Sequence, residues 1–266
     1  MNARIWICAI CILIVSLTVT AVSFAANEKA EDKPGAETVA NGPKEIPPGW
    51  EKIVFIHYKK APGKPQGTPG KPKPPKDADC YGFLARGVKW NDDDLPLTIE
   101  IDGTNDYGVT PDEVAKQFSL GTKEWDQYTN TSLFGTPVLV NGSVNEDEPD
   151  THNMVVFGDL SYPGAIAVTI VWGYFGGPPS TRKIIEFDMI FDQVDFAWGI
   201  CEDGSEDFMD IQNIATHELG HAVGLDDLYE TACAEVTMYG YSTEGEIKKR
   251  DIEADDITGL KSLYDK

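Results

Sequence analysis

Histidine is scarce in this chain of 266 residues: His57, His152, His217 and His221 are all it has. So little imidazole excludes a protein built around several histidine-rich metal sites. Positive charge is also in short supply, with 22 Lys+Arg against 44 Asp+Glu and a net charge of −22. The acidic excess lies wholly from Asp77 onward, the residues before it being net positive, and a surface of that sign repels phosphates, which excludes nucleic acid as a partner. It suits solubility, a salty medium or calcium binding. Beyond Val22 no apolar run is long enough to span a bilayer. Cysteine is sparse as well, five in all. Cys8 and Cys11 fall in the N-terminal apolar segment, which leaves Cys80, Cys201 and Cys233, an odd number for internal pairing.

The N-terminal third has little that could form a core. Arg4, the apolar stretch Ile5 to Val22 and the Ser23-Phe24-Ala25 sequence together have the pattern of a signal peptide over residues 1–25. The rest of the chain is therefore expected outside the cell, secreted, or held at the membrane if the segment stays uncleaved. Residues 26–79 are expected to be disordered, with a linker rich in proline, glycine and lysine, and could serve as a pro-segment. Within them Lys52 to Tyr58 is a short apolar strand candidate, belonging to such a segment or adding to the main sheet, and His57 is expected at the surface.

What the chain does have is concentrated in Thr216-His217-Glu218-Leu219-Gly220-His221-Ala222-Val223-Gly224-Leu225-Asp226-Asp227. Ile211, Ile214, Ala215, Leu219, Ala222 and Val223 form an apolar stripe at helical spacing. On that helix His217 and His221 project from one face and can share an ion. Gly224 lets the chain leave the helix in a left-handed conformation, so that Asp227 can return as a third ligand. Zinc takes imidazole nitrogen and carboxylate oxygen, and three protein ligands leave one position for water. Glu218 lies beside the first histidine, where it can act as general base on that water.

These residues, with Met238 downstream, resemble the metzincin metalloproteases and among them the matrixins, whose motif is H-E-x-x-H-x-x-G-x-x-H with a Met-turn. Asp227 stands where most members have histidine. The resemblance extends to Lys89-Trp90, to Leu97–Ile101 and to the last two helices. It implies an α+β catalytic domain over residues 80–266, with a twisted mixed sheet of about five strands, three helices, and a zinc cleft between an upper sheet subdomain and a small C-terminal one. It implies a secreted zinc endopeptidase acting on peptide or protein substrates; a catalytically silent binding protein on the same fold is the alternative. Met238 would floor the metal, with Asp255 or Asp256 bracing its turn. Ala167 and Val168 would lie on an exposed edge strand that pairs with substrate, and Tyr239 to Ser242, including Tyr241, would wall the neighbouring pocket. With no histidine between His152 and His217, one zinc is expected, in a monomer. Matrixins also carry a zinc-ligating thiol upstream, so Cys80 is a candidate zymogen switch, with a disulfide as the other outcome.

Other expectations come from the residues themselves. Strands are expected at 97–102, 137–140, 154–157, 165–172 and 183–191, the last with Ile185, Phe187, Met189 and Phe191 on one face. A capping box at Thr110-Pro111-Asp112-Glu113 starts a helix running to about Tyr128. The last helix is expected to start at Asp251. Cys201 and Cys233 flank the zinc helix, and a bridge between them would brace it. The acidic loops 146–150 and 203–207 are candidate calcium sites.

Overall fold

The central strands are apolar and buried on both faces, and the two-residue period of the backbone decides which of their side chains meet the helices. The computed structural model describes residues 46–60, 79–85 and 88–265. The expected signal peptide and most of the linker lie outside the described residues. Seven strands form one mixed sheet in the order β3 (Val138–Leu139), β2 (Glu100–Ile101), β4 (Met154–Gly158), β6 (Lys183–Asp192), β5 (Ala165–Tyr174), β1 (Glu51–Lys59) and β9 (Tyr241–Ser242). A separate pair joins β7 (Trp198–Gly199) to β8 (Met209–Asp210). Three helices complete the α+β architecture: α1 (Pro111–Asp126), α2 (Ile211–Ala222) and α3 (Ala254–Tyr264). The five expected strands are present, and β1 and β9 extend them.

One face of the sheet supplies Ile99, Ile101, Val155, Phe157, Ala167, Val171, Phe187, Met189 and Phe191 to a core shared with Val114, Phe118 and Trp125 of α1 and the apolar stripe of α2. The other face buries a smaller cluster of Met154, Val156, Ala165, Val168 and Ile190, against which Val54, Ile56 and Tyr58 pack. On β6 the expected phase fails at one end. A bulge where Trp172 and Gly173 face β6 sends Ile184 into the core in place of Ile185. Gly173 allows it, because a Cβ there would lie 2.3 Å from the Lys183 carbonyl oxygen.

The helix ends follow local chemistry. The Thr110–Glu113 capping box forms as expected, with the Thr110 N–H donating to Glu113 Oε2 at 3.0 Å. Helix α1 stops at Asp126, short of Tyr128, where the Asp126 carboxylate accepts the backbone N–H of Leu133 at 2.9 Å. Asp251 does not cap α3. Residues Lys248–Arg250 wind into a tight 3-10 turn, and Glu253 caps the helix reciprocally with Asp256.

Two corrections bear on function. Strand β5 is no exposed edge: β1 runs antiparallel along it, from Glu51 opposite Gly173 to Tyr58 opposite Ala165. Strand β1 then pairs in parallel with β9, Tyr58 opposite Tyr241. The cysteines also pair otherwise than expected. Cys80 is bonded to Cys233 across a separation of 153 residues, while Cys201 is a buried free thiol. The Cys201–Cys233 bridge is therefore excluded, and a disulfide-bonded Cys80 offers no thiolate for a zymogen switch. Sequence position misleads here because Cys80 and Cys233 become neighbours only when the segment before the domain folds back onto the loop after Asp227. Cys80→Ser is expected to lower stability by about 2–4 kcal/mol, read as a fall in the urea midpoint that reductant reproduces in the unaltered chain.

Asp188 gives a pH signature. Burial, with Glu186 beside it, pushes its carboxyl up to about 8. The folded state therefore binds the proton more tightly than the unfolded chain. Stability falls as pH rises from the ordinary carboxyl range toward 8. Asp188→Asn keeps the acceptor for the Met154 N–H, 3.1 Å away. It is expected to raise the melting midpoint above pH 8 and to make no difference near pH 4; an equal shift at both values would contradict the burial argument.

Candidate metal centre

The site begins with how α2 is anchored. Asp210 caps it, accepting the Asn213 N–H at 2.7 Å, and Arg250 holds the same carboxylate from the side. The indole N–H of Trp125 donates to the Thr216 carbonyl at 2.8 Å and that of Trp90 to the Ala222 carbonyl at 2.7 Å, which fixes the helix against the core. One turn apart, His217 and His221 bring their Nε2 atoms to 3.2 Å. Gly224 then turns the chain at φ +101°, where a Cβ would lie 2.9 Å from the Val88 carbonyl oxygen. The returning chain sets Asp227 Oδ1 at 3.3 Å from His217 Nε2 and 3.5 Å from His221 Nε2.

Each imidazole has its tautomer set by a carbonyl. His217 Nδ1 lies 2.7 Å from the Thr237 oxygen and His221 Nδ1 3.0 Å from the Leu225 oxygen, so both Nδ1 atoms carry the proton and both Nε2 lone pairs face inward. Asp227 Oδ1 is buried without a hydrogen-bond partner, and its other oxygen accepts the Tyr229 hydroxyl at 3.0 Å. Zinc–ligand bonds of about 2.0–2.2 Å at tetrahedral angles imply ligand–ligand spacings of roughly 3.3–3.6 Å. The observed triangle and its orphaned acceptor fit that ion. Burial drives His217 down to about 3, and His221 and His217 hold the Asp227 carboxyl below its usual range despite its burial. Asp227 and Glu218 raise His221 against its burial, so a cation entering the site displaces a proton there, while His217 and Asp227 already have the forms a cation binds.

Glu218 is fully buried. Its Oε2 accepts the Thr169 hydroxyl at 2.6 Å, and burial raises its carboxyl to about 7. Met238 packs beneath the helix, where a Cβ on Gly220 would lie 2.2 Å from its sulfur. Asp256 braces that turn from behind, accepting the N–H groups of Thr237 at 2.8 Å and Met238 at 3.2 Å.

A sequence model of the matrixin family matches residues 89–265. The chain belongs to the matrixin family. Metalloendoproteinase 1-MMP of Arabidopsis thaliana is 26% identical over 192 residues, which cover 69% of this chain and 46% of that protein. The chain thus spans about half the length of that relative.

In this matrixin β1 lies in the cleft. Phe55 stacks on His221 with ring centroids 3.9 Å apart and planes 7° from parallel. His57, expected at the surface, is buried: its ring lies 3.9 Å from that of His217, and its Nδ1 is 3.0 Å from Glu218 Oε1. Ala167 and Val168 face His57 and Ile56 across the strand pair. Tyr239 is buried, and Tyr241 sits on β9 with its ring 5.3 Å from Tyr229 and 5.7 Å from Tyr239. His152 is at the surface beside Glu100. The acidic turn at 203–207 satisfies itself, with Glu206 accepting the Gly204 N–H at 3.0 Å. Among the described residues, only the groups His57/His217/Glu218 and His217/His221/Asp227 gather ligand atoms closely enough for an ion, so neither acidic loop forms a calcium cluster of that kind.

Sequence reasoning missed His57, Thr169, Tyr229 and Lys249. Thr169 did leave a signal, as the single polar residue in Ala165–Trp172. Tyr229→Phe keeps the ring but frees the Asp227 carboxylate. It is expected to weaken zinc binding roughly 10- to 100-fold in a competition titration against a chromophoric chelator. An unchanged affinity would remove Tyr229 from the site.

Proposed function

We propose that this matrixin is a secreted zinc endopeptidase whose cleft is closed by its own strand β1. The observation that carries the catalytic part is the convergence of His217, His221 and Asp227 beside an independently held carboxylate, Glu218. His217, His221 and Asp227 would hold the zinc. Bound there, zinc supplies Lewis acidity toward the scissile carbonyl and lowers the pKa of the attacking water.

The rest belongs to the chain. A peptide in extended form can add between β5 and β9, antiparallel to the first and parallel to the second, since both offer backbone groups to an inserted strand. Strand β1 uses that slot. Its departure takes His57 away from Glu218 and frees Oε1 to accept the proton of the attacking water. Glu218 takes that proton and then returns it to the leaving amine. Thr169 keeps the carboxylate aimed during both transfers.

Glu218→Ala is expected to abolish casein cleavage while zinc content stays at one per chain; residual cleavage would mean another base. Phe55→Asp puts a charge where β1 stacks on His221 and favours the open cleft. It is expected to raise cleavage about tenfold or more over the unaltered chain. Equal rates would show that β1 does not obstruct substrate.

A further inference from the structure

The turn that precedes α3 carries three consecutive cations, and they differ. Lys248 lies near Glu235 and Glu246, and Arg250 pairs with Asp210. Lys249 is fully buried, and among the described residues no carboxylate lies within ion-pair distance of it. Glu246, Asp227 and Glu218 act on it from a distance, but none pairs with it directly, and a buried ammonium with no direct partner is costly. Its Nζ donates to the Tyr239 carbonyl and lies 3.1 Å from His57 Nε2. His217 Nδ1 is 3.5 Å away, but its proton already faces Thr237, so it offers no lone pair.

The backbone of Lys249 is held by α2. Asn213 Oδ1 accepts the Lys249 backbone N–H at 2.8 Å, which fixes the orientation of the amide, and Asn213 Nδ2 is then buried with no acceptor. What β1 brings to Lys249 is an acceptor. His57 Nδ1 faces Glu218 Oε1 at 3.0 Å and carries the proton, so the lone pair on Nε2, across the ring, is turned to Lys249.

We propose that Lys249 makes the cleft select a substrate with a carboxylate side chain, glutamate ahead of aspartate, at the register His57 occupies in β1. This rests on the endopeptidase function proposed above. The side chain at that register touches both Glu218 and His217, so it flanks the bond to be cut. A glutamate carboxylate reaches about as far from the backbone as an imidazole Nε2, and aspartate falls short. At that reach it meets Lys249 on the side of the ring away from Glu218, so the two carboxylates are separated. The chain's net charge of −22 opposes peptides that are acidic throughout. The preference is accordingly for one acid at one position, not for acidic runs.

Two measurements on the full-length chain test this. The first is cleavage of a peptide mixture by the unaltered chain and by Phe55→Asp, with cut sites read by mass spectrometry. Glutamate is expected to be enriched about tenfold over glutamine at one position next to the cut, with the enrichment carried by KM more than kcat. Lys249→Met should erase it, and Lys249→Glu should turn it toward lysine and arginine. Cleavage with no preference between glutamate and glutamine overturns the inference and leaves the endopeptidase intact. No cleavage of any peptide by zinc-loaded protein overturns the endopeptidase.

The second measurement needs no activity, because β1 itself reports on the pocket. His57→Glu is compared with His57→Gln by melting midpoint, in the unaltered chain and in Lys249→Met. The glutamate variant is expected to melt about 2–4 °C above the glutamine variant only while Lys249 is present. The same difference in both backgrounds overturns the inference.

Discussion

The convergence of two imidazoles and one carboxylate in a region closed to water is the constraint on which the rest of this structure depends. Such a set does not hold itself together. Two helical histidines need their outer nitrogens engaged, and the carbonyls of Thr237 and Leu225 do this from opposite sides. Thr237 in turn is held by Asp256, at the start of α3, so the C-terminal helix acts on His217 through the Thr237 carbonyl. The carboxylate needs a chain that doubles back, which only the left-handed Gly224 allows so close to Val88.

Much of this could be read from the sequence, because its logic is local. The spacing of His217 and His221, the glycine that ends their helix and the third ligand three residues later all lie within a dozen positions. Alternation marked the strands at 97–102 and 183–191, and a β-branched run the one at 165–172; the inward face expected for β6 holds except at its bulge. The Thr110 capping box was legible for the same reason: four consecutive residues contain all of its chemistry.

What was not legible is long-range. His57 is separated from Glu218 by 161 residues, and nothing near it announces burial. In a lysine-flanked strand after a proline-rich stretch, a histidine looks solvated. It becomes buried only because β5 and β9, both distant in sequence, leave a slot one strand wide. Lys249 was hidden by its neighbours, since three basic residues in a row look like a surface, and only the wound turn separates the buried one from the other two. The cysteines failed similarly: flanking a helix in sequence is no measure of distance when the chain before the domain folds back.

The bond between Cys80 and Cys233 has a topological consequence. It staples the start of the matrixin domain to the loop just past Asp227, on the C-terminal side of everything that precedes residue 80. Scission of the backbone anywhere between 60 and 80 would leave the strand in the cleft attached by noncovalent forces alone. The new amino terminus created by the cut would stay leashed near the Met238 turn. The bond thus ties the residues after Cys80 to the loop past Asp227 independently of β1.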